Sequence, residues 1–210
     1  GRKPALRVNP HRRPQVGGLS MQIKTVGIIG TGTMGLGIAH VCAQAGLQVV
    51  AVKATPGSTD KAQATLEQGF GRLVERGKMD AAEKDAIVGR VTITSDESAV
   101  AGCELVIESI IEEIETKKDL FRRLEGICSK DALLTSNTST LSVTAMMAVC
   151  KHRTRVAGLH FFNPAPVMKL VEIIHAFETS EEVIQSLDTF CKEIGKEACD
   201  IKVDCPGFLT

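Results

Sequence analysis

A histidine and a glutamate stand at equal distances from one turn, and together they could do acid-base chemistry. His160 and Glu172 each lie six residues from Pro166. If residues 155–162 and 168–175 are two strands folded back across the Asn-Pro-Ala-Pro sequence, this spacing brings the imidazole opposite the carboxylate. A histidine can take a proton from a hydroxyl near neutral pH, while a carboxylate on its other ring nitrogen fixes the tautomer and stabilises the imidazolium. The same spacing also fits an apolar hairpin with a surface His–Glu pair, so both interpretations stay open.

A second segment has the pattern of a phosphate-binding loop. The apolar run 26–29 leads directly into Gly30-Thr31-Gly32-Thr33-Met34-Gly35, a G-x-G-x-x-G sequence that a helical pattern follows. In this setting the glycines allow a tight turn, close approach of the backbone to a pyrophosphate, and close helix–strand packing. The N–H groups at the helix N-terminus would bind the phosphates. With a second apolar strand at 47–52, the pattern favours a dinucleotide site over a merely glycine-rich turn.

The composition is typical of a soluble, cytoplasmic globular protein. The chain has 210 residues, 43% of them hydrophobic, which is enough for one large or two small domains. Its 25 basic and 25 acidic residues give no overall electrostatic case for nucleic acid or membrane binding. No apolar run approaches the roughly 20 residues that span a bilayer. We therefore expect neither nucleic acid nor a membrane as partner.

The cysteines indicate a reduced protein without a metal site. They form no C-x-x-C pair and stand near no histidine cluster at ligand spacing. We interpret them as reduced thiols that mostly fill the core, rather than as zinc ligands or a disulfide framework. The seven cysteines are Cys42, Cys103, Cys128, Cys150, Cys191, Cys199 and Cys205.

The first twenty residues differ from the rest of the chain. Residues 1–20 contain five basic residues, three prolines and no acidic residue, and they immediately precede Met21. This composition predicts a disordered leader or tag upstream of the natural start. A mitochondrial transit peptide shares the basic, acid-free character but would normally be richer in serine and amphipathic.

From residue 24 onward, strand and helix patterns alternate, which predicts an α/β fold with a mostly parallel sheet covered on both faces. We expect one dinucleotide-binding domain over 21–204. The predicted strands are 24–29, 47–52, 91–94, 104–108, 132–135, 155–162, 168–175 and 197–202. The predicted helices are 33–45, 58–77, 80–88, 96–101, 113–128, 141–149 and 180–194.

The segment 58–88 is predicted to form a helical hairpin that projects from the sheet. Leu66, Phe70, Leu73 and Val74 recur at helical spacing and form an apolar stripe. We expect the stripe to serve packing, although an acyl or coenzyme group could lie along it.

Five motifs in unbroken order give the chain a specific resemblance over residues 21–210. They are the glycine loop continued by Gly37, Val-Ile-Glu-Ser-Ile-Ile-Glu at 106–112, Ser-Asn-Thr-Ser-Thr-Leu at 136–141, the block around His160, and Asp-Cys-Pro-Gly-Phe at 204–208. Together they resemble the 3-hydroxyacyl-CoA dehydrogenases, above all the bacterial 3-hydroxybutyryl-CoA enzymes. The resemblance implies a Rossmann-type, doubly wound fold and an oxidoreductase of fatty acid metabolism. Its reaction would interconvert a short-chain 3-hydroxyacyl-CoA and a 3-oxoacyl-CoA by hydride transfer with a nicotinamide cofactor.

The resemblance assigns catalytic roles to four residues. His160 matches the base that removes the proton of the 3-hydroxyl, and Glu172 matches its carboxylate partner. Ser139 and Asn163 match residues that hydrogen-bond the reacting oxygen and position the histidine and substrate. These roles suit the chemistry, because hydride leaves more readily as the alcohol oxygen becomes alkoxide-like.

The resemblance also places three further residues beside the cofactor. Asn137, Glu112 and Lys117 match positions that line its nicotinamide and ribose side. Each has an ordinary alternative, however. The segment 136–140 could simply cap the helix predicted to begin at 141, and the two charged residues could lie at a helix start and on its exposed face.

One residue departs from the expected pattern. The acidic residue that would accept hydrogen bonds from the adenosine ribose is replaced by Lys53 at the end of the second predicted strand. An ammonium cannot accept those bonds, but it could pair with a 2′-phosphate, and Thr55, Ser58 and Thr59 could add hydroxyl donors. We expect NAD as the cofactor, with NADP as the alternative; Lys53 could also be an exposed strand-end lysine.

The resemblance further implies a second domain beyond this sequence. Residues 205–210 match the start of the link into an all-helical C-terminal domain, which supplies one wall of the acyl-CoA cleft and the homodimer contact. We therefore expect the 210-residue chain to bind dinucleotide, to expose an apolar surface, and to be inactive alone. The alternatives are another β-hydroxyacid-type dehydrogenase and a non-catalytic dinucleotide-binding module.

Overall fold

The computed structural model describes residues 21–205; the basic segment 1–20 and the last five residues of the predicted link lie outside this range. The strands are β1 (Thr25–Ile29), β2 (Gln48–Val52), β3 (Val91–Thr94), β4 (Leu105–Glu108), β5 (Leu133–Ser136), β6 (Val156–Phe161), β7 (Leu170–His175) and β8 (Glu197–Ile201). The α-helices are α1 (Thr33–Gln44), α2 (Asp60–Glu75), α3 (Ala81–Val88), α4 (Ile114–Ile127), α5 (Val143–Met147) and α6 (Glu181–Glu193).

Residues 21–205 form one eight-stranded sheet in the order β3-β2-β1-β4-β5-β6-β7-β8. The first six strands are parallel to one another, which confirms the predicted doubly wound arrangement. β7 runs antiparallel to β6, and β8 runs parallel to β7. The carboxyl end of β6 and the amino ends of β7 and β8 therefore meet at one edge.

Helices cover both faces of the sheet and enclose two apolar cores. On one face α1, α2 and α6 pack against inward side chains such as Ile28 and Leu159; on the other face α4 and α5 pack against Val106 and Leu134. Every strand from β1 to β7 except the outer strand β3 has buried residues on both faces; in β3 only Val91 is buried. This explains why these strands read as continuous apolar runs.

The predicted helical hairpin is present as α2 and α3, and its stripe serves packing. Leu66 and Phe70 are buried, and Leu73 and Val74 pack partly buried against the same core. The Phe70 ring stacks on the ring of His40 in α1, with centroids 3.8 Å apart and planes 10° from parallel. This stack joins the hairpin to the helix that follows the glycine loop.

Two of the predicted helices were wrong in type or length. The segment predicted at 96–101 is a short 3₁₀ helix, Glu97–Val100, because the Asp96 side chain accepts the Ser98 N–H and closes a tighter turn. The helix predicted at 141–149 spans only five residues. Ser142 caps its start by accepting the Ala145 N–H.

Candidate active site

The predicted site residues follow neighbouring parallel strands at their carboxyl ends. Gly30 follows β1, Glu112 lies on the segment after β4, Asn137 and Ser139 follow β5, and His160 lies near the end of β6. Parallel strands bring these ends to one edge of the sheet, which is where open α/β sheets bind their ligands. The fold therefore collects residues that are more than 100 positions apart in sequence.

The glycine loop is shaped so that side chains would not fit at two of its positions. Gly30 has a φ of 112°, and a Cβ there would lie 2.3 Å from the carbonyl oxygen of Ser109. A Cβ on Gly35 would lie 1.8 Å from the carbonyl oxygen of Gly30. A Cβ on Gly32 would meet nothing within 4 Å, so open space adjoins the N-terminus of α1. This arrangement fits a pyrophosphate lying against the backbone.

His160 and Glu172 face each other across the antiparallel pair β6–β7, as their spacing predicted. They are directly opposed in the strand register. His160 Nδ1 lies 2.8 Å from Glu172 Oε2, and both side chains are buried, with 7% and 1% of their surface exposed. The hydrogen bond at Nδ1 makes the two ring nitrogens chemically distinct, since the carboxylate engages only this one. The surface-pair interpretation is wrong, because both side chains are buried.

Asn137 joins three strand ends. Its side-chain oxygen accepts the Phe161 N–H at 2.8 Å, and its side-chain nitrogen lies 3.4 Å from the hydroxyl of Ser109. The Ser109 carbonyl in turn borders Gly30. Contacts thus run without a break from the glycine loop to the strand that carries His160.

A buried ionic network, which the sequence did not lead us to predict, supports the loop after β5. The Lys117 ammonium lies 2.5 Å from Glu108 Oε1, and the two residues are only 1% and 0% exposed. The other Glu108 oxygen accepts the hydroxyl of Ser136 at 2.5 Å. Lys117 is thus not on an exposed helix face. In the sequence, Glu108 alone could have indicated this network, since a carboxylate at the end of an apolar strand needs a partner when it is buried.

Glu112 links this network to the candidate site. Its Oε2 lies 3.2 Å from the Lys117 ammonium, and its Oε1 accepts the hydroxyl of Thr138 and the N–H of Ser139. Partial burial favours the protonated form, but these hydrogen bonds and the lysine charge outweigh it and lower the pKa of Glu112. The carboxylate is therefore held charged beside the loop that carries Ser139.

Ser139 and Asn163, the other two predicted catalytic residues, have exposed side chains at the same edge. Ser139 lies on the loop after β5, and Asn163 begins the turn after β6. Exposed side chains at these positions are available to a ligand over the carboxyl end of the sheet.

Lys53 follows β2 and donates to its own loop. Its ammonium nitrogen lies 2.6 Å from the Thr55 carbonyl oxygen, 2.9 Å from the Thr55 hydroxyl and 2.6 Å from the Pro56 carbonyl oxygen. An ammonium has three N–H donors, and this loop supplies three acceptors for them. Lys53 is therefore more than an exposed strand-end lysine, because it closes the loop that would border the adenosine ribose.

The cysteines of residues 21–205 are present as free thiols. Residues 21–205 contain seven free cysteines, five of them buried. Burial raises the pKa of Cys42 and Cys191 to about 12, so these thiols are protonated at neutral pH. The same range has no cluster of three potential metal ligands, and none of its helices is long and apolar enough to cross a membrane.

Comparison with known proteins gives consistent matches over the described range. Residues 25–205 match the family described as "3-hydroxyacyl-CoA dehydrogenase, NAD binding domain". The chain is 40% identical over 195 residues to a 3-hydroxyadipyl-CoA dehydrogenase of Escherichia coli (strain K12), which covers 91% of this chain and 40% of that protein. It is 37% identical to a 3-hydroxybutyryl-CoA dehydrogenase of Clostridioides difficile, covering 87% of this chain and 65% of the relative.

The fold matches a solved structure equally well. A crystal structure of (S)-3-hydroxybutyryl-CoA dehydrogenase from Ralstonia eutropha superposes with a TM-score of 0.86 at 35% identity, covering 90% of this chain and 66% of that one. The chain thus spans two thirds or less of the length of these relatives.

Proposed function

The chain belongs to the family of 3-hydroxyacyl-CoA dehydrogenase NAD-binding domains, and we propose that its protein interconverts a short-chain 3-hydroxyacyl-CoA and the 3-oxoacyl-CoA. The observation that carries the proposal is the buried pair in which His160 Nδ1 lies 2.8 Å from Glu172 Oε2. This pair stands at the carboxyl edge of a sheet whose first strand leads into a dinucleotide loop. A proton acceptor beside a hydride acceptor is what oxidation of an alcohol requires.

We propose that NAD binds at the glycine loop. Gly32 and the N-terminus of α1 would hold its pyrophosphate, because the space beside Gly32 is open and the first turn of the helix has no acidic side chain to repel phosphate. Asn137 and Glu112 would border the nicotinamide ribose at the neighbouring strand ends. When bound, NAD supplies the carbon that accepts or returns the hydride.

In the oxidative direction, His160 takes the proton of the 3-hydroxyl at Nε2. Glu172 accepts the Nδ1–H, which holds the ring in the tautomer whose Nε2 can act as the base. As the imidazole becomes imidazolium, the adjacent carboxylate stabilises its charge, and low exposure strengthens this effect. In the reverse direction the imidazolium returns the proton to the carbonyl oxygen.

Ser139 and Asn163 are proposed to hydrogen-bond the reacting oxygen beside His160. Both have exposed polar side chains, Ser139 on the loop after β5 and Asn163 in the turn after β6, the strand that carries His160 and pairs with β5. Donors aimed at that oxygen favour the alkoxide-like transition state. We assign Lys117 a positioning role, since its buried ammonium holds Glu112 rather than facing the cleft.

We propose that NAD is preferred to NADP. The notion that Lys53 binds a 2′-phosphate requires free N–H donors, but its ammonium has three acceptors within its own loop. A 2′-phosphate would have to displace one of them. This occupancy favours a loop-closing role for Lys53.

We also propose that the protein works in a reducing compartment such as the cytoplasm, as a homodimer with acyl-CoA as its substrate. Seven free cysteines within residues 21–205 support the reducing compartment. The apolar side chains of Ile111, Val167, Met168 and Leu170 are exposed at the candidate site edge and provide surface for the acyl group or for further protein.

The proposed function is tested by following NADH oxidation with acetoacetyl-CoA in the protein that carries this chain. We expect turnover with acetoacetyl-CoA, oxidation of one enantiomer of 3-hydroxybutyryl-CoA in the reverse direction, and little turnover with free acetoacetate. Turnover of free β-hydroxyacids in preference to their CoA esters would instead indicate another β-hydroxyacid dehydrogenase. Cofactor binding without any turnover would indicate a non-catalytic module.

A further inference from the structure

A buried lysine, distant in sequence from the proposed site, holds the turn between its two strands. Lys196 lies between α6 and β8, and only 8% of its surface is exposed. Its ammonium donates to the carbonyl oxygens of Ala165 at 2.6 Å and Met168 at 2.7 Å. Both acceptors belong to the turn that joins β6 to β7, and hence joins His160 to Glu172.

Burying the Lys196 ammonium costs free energy, which its two hydrogen bonds must offset. Burial lowers the pKa of Lys196, because it removes water from the charged form. The two acceptors that replace water are carbonyl oxygens rather than a carboxylate. A lysine on the surface would retain its hydration. Lys196 instead loses most of its water and gains two hydrogen bonds to a single turn.

The same turn is held from its other side by the helix of the glycine loop. Ala165 is buried, and a Cβ placed on Gly37 of α1 would lie 3.3 Å from the Ala165 Cβ. Within the turn, the N–H groups of Val167 and Met168 both donate to the Pro164 carbonyl. The turn is therefore clamped between Lys196 and the helix that would bind the cofactor pyrophosphate.

We propose that Lys196 is a positioning residue for the reaction: its ammonium fixes the β6–β7 turn, and through it the direction of Asn163 and the pairing of His160 with Glu172. This inference rests on the proposed function for its catalytic meaning. The Lys196 ammonium binds main-chain carbonyl oxygens of the turn, so it acts through the main chain. Its loss should lower kcat more than it raises KM, because misplaced groups weaken the transition state more than substrate binding.

The test compares two variants. Lys196→Met keeps a long unbranched side chain but removes the N–H donors, and Lys192→Met is the control for the loss of one positive charge. Lys192 lies four residues earlier, in the last turn of α6, is exposed, and pairs with Asp188 on its own helix. Ile87→Val, a mild core change in α3 away from the turn, controls for lost stability. If Lys196→Met does not fold, Lys196→Gln, which keeps an amide donor, takes its place.

Two readouts on this chain do not depend on turnover. We expect Lys196→Met to raise the amide hydrogen exchange rates of Val167 and Met168 by about tenfold or more and to shift the His160 imidazole resonances, with neither change in the two controls. In the protein that turns over acetoacetyl-CoA, kcat should fall by about tenfold with KM changed less than threefold. Unchanged exchange rates and imidazole resonances in Lys196→Met would overturn the inference. Absence of turnover in the wild-type protein would refute the proposed function instead, while the two readouts would still decide whether Lys196 holds the turn.

Discussion

At the scale of single residues, the central feature is the buried pair of His160 and Glu172, for which we propose an acid-base role. Glu172 is desolvated and opposes His160 across two strands, so its charge is directed to the imidazole rather than to water. Glu172→Gln keeps the size of the side chain but removes its charge. We expect kcat to fall by about tenfold, because the imidazolium then lacks its stabilising partner. This loss is smaller than the loss expected when the base itself is removed.

This prediction is checked by steady-state kinetics with acetoacetyl-CoA and NADH. Glu197→Gln is the control, since Glu197 is exposed at the start of β8, two strands from His160. Equal kcat for wild type and Glu172→Gln would show that the carboxylate has no part in the proton transfer.

The second residue-scale prediction concerns Lys53 and the choice of cofactor. Lys53→Asp places an acceptor where the adenosine ribose is expected, and it should strengthen NAD binding while weakening NADP binding. Calorimetric titration of both proteins with both cofactors measures this change. Lys53→Met separates the two effects, because it removes the loop contacts without adding a charge. If wild type binds NADP more tightly than NAD and Lys53→Met abolishes that preference, the loop-closing role assigned to Lys53 is wrong.

At the scale of elements, the start of α4 and the ends of β4 and β5 are joined by buried charges. Lys117→Met would leave the Glu108 carboxylate buried without its cation, and removal of one partner from such a pair costs about 3–5 kcal/mol. We expect the free energy of unfolding to fall by this amount in urea titrations. Lys118→Met, the next position of the same helix, should change it by less than about 0.5 kcal/mol.

A double variant tests the cause of this loss. Glu108→Gln combined with Lys117→Met removes the stranded charge, so it should be more stable than Lys117→Met alone. A double variant that is less stable than both single variants would contradict the ionic explanation.

The stacked rings between α1 and α2 predict a pH-dependent stability. Burial lowers the pKa of His40 from 6.5 to about 4, with a hydrogen bond to Gln44 opposing the shift. Because the folded state holds the neutral ring, this contribution is fully present above pH 6.5 and is lost as the pH falls towards 4. One such group makes the fold about 2 kcal/mol less stable at pH 5 than at pH 7.

Urea titrations at pH 7 and pH 5 measure this loss in wild type and in His40→Gln. The variant cannot titrate at this position, so its stability should fall less between the two pH values, whatever it loses from the stack itself. An identical loss in both proteins would show that the pKa of His40 does not differ between the folded and unfolded states in the way proposed.

The sequence predicted those elements and pairings that depend on a local pattern of residues. Continuous apolar runs marked the buried parallel strands, and the equal spacing around Pro166 predicted the opposition of His160 and Glu172. The sequence did not reveal contacts between distant segments. Lys196 reads as an ordinary lysine after a glycine, and nothing near it in the chain indicates that it reaches a turn 28 to 31 residues away. Glu108 and Lys117 likewise became partners only when β4 and α4 packed together.

At the scale of the whole molecule, the sheet brings every predicted site residue to one side. The carboxyl ends of β1, β4, β5 and β6 carry the glycine loop, Glu112, Asn137 and His160. At the opposite end of the strands, near the start of β6, Arg155 lies 3.3 Å from Glu125 and both side chains are largely buried. Under the proposed function, the chemistry lies at the carboxyl ends of the strands, where open α/β sheets commonly bind their ligands.

The most direct measurement of the central claim is the rate of acetoacetyl-CoA reduction by wild type and His160→Gln, with NADH binding measured on the same samples. Glutamine preserves much of the volume of the imidazole but cannot transfer its proton. We predict unchanged NADH affinity and a kcat lowered by about 10²-fold or more. Near-normal turnover in His160→Gln, with NADH affinity also intact, would contradict the assignment of His160 as the acid-base residue.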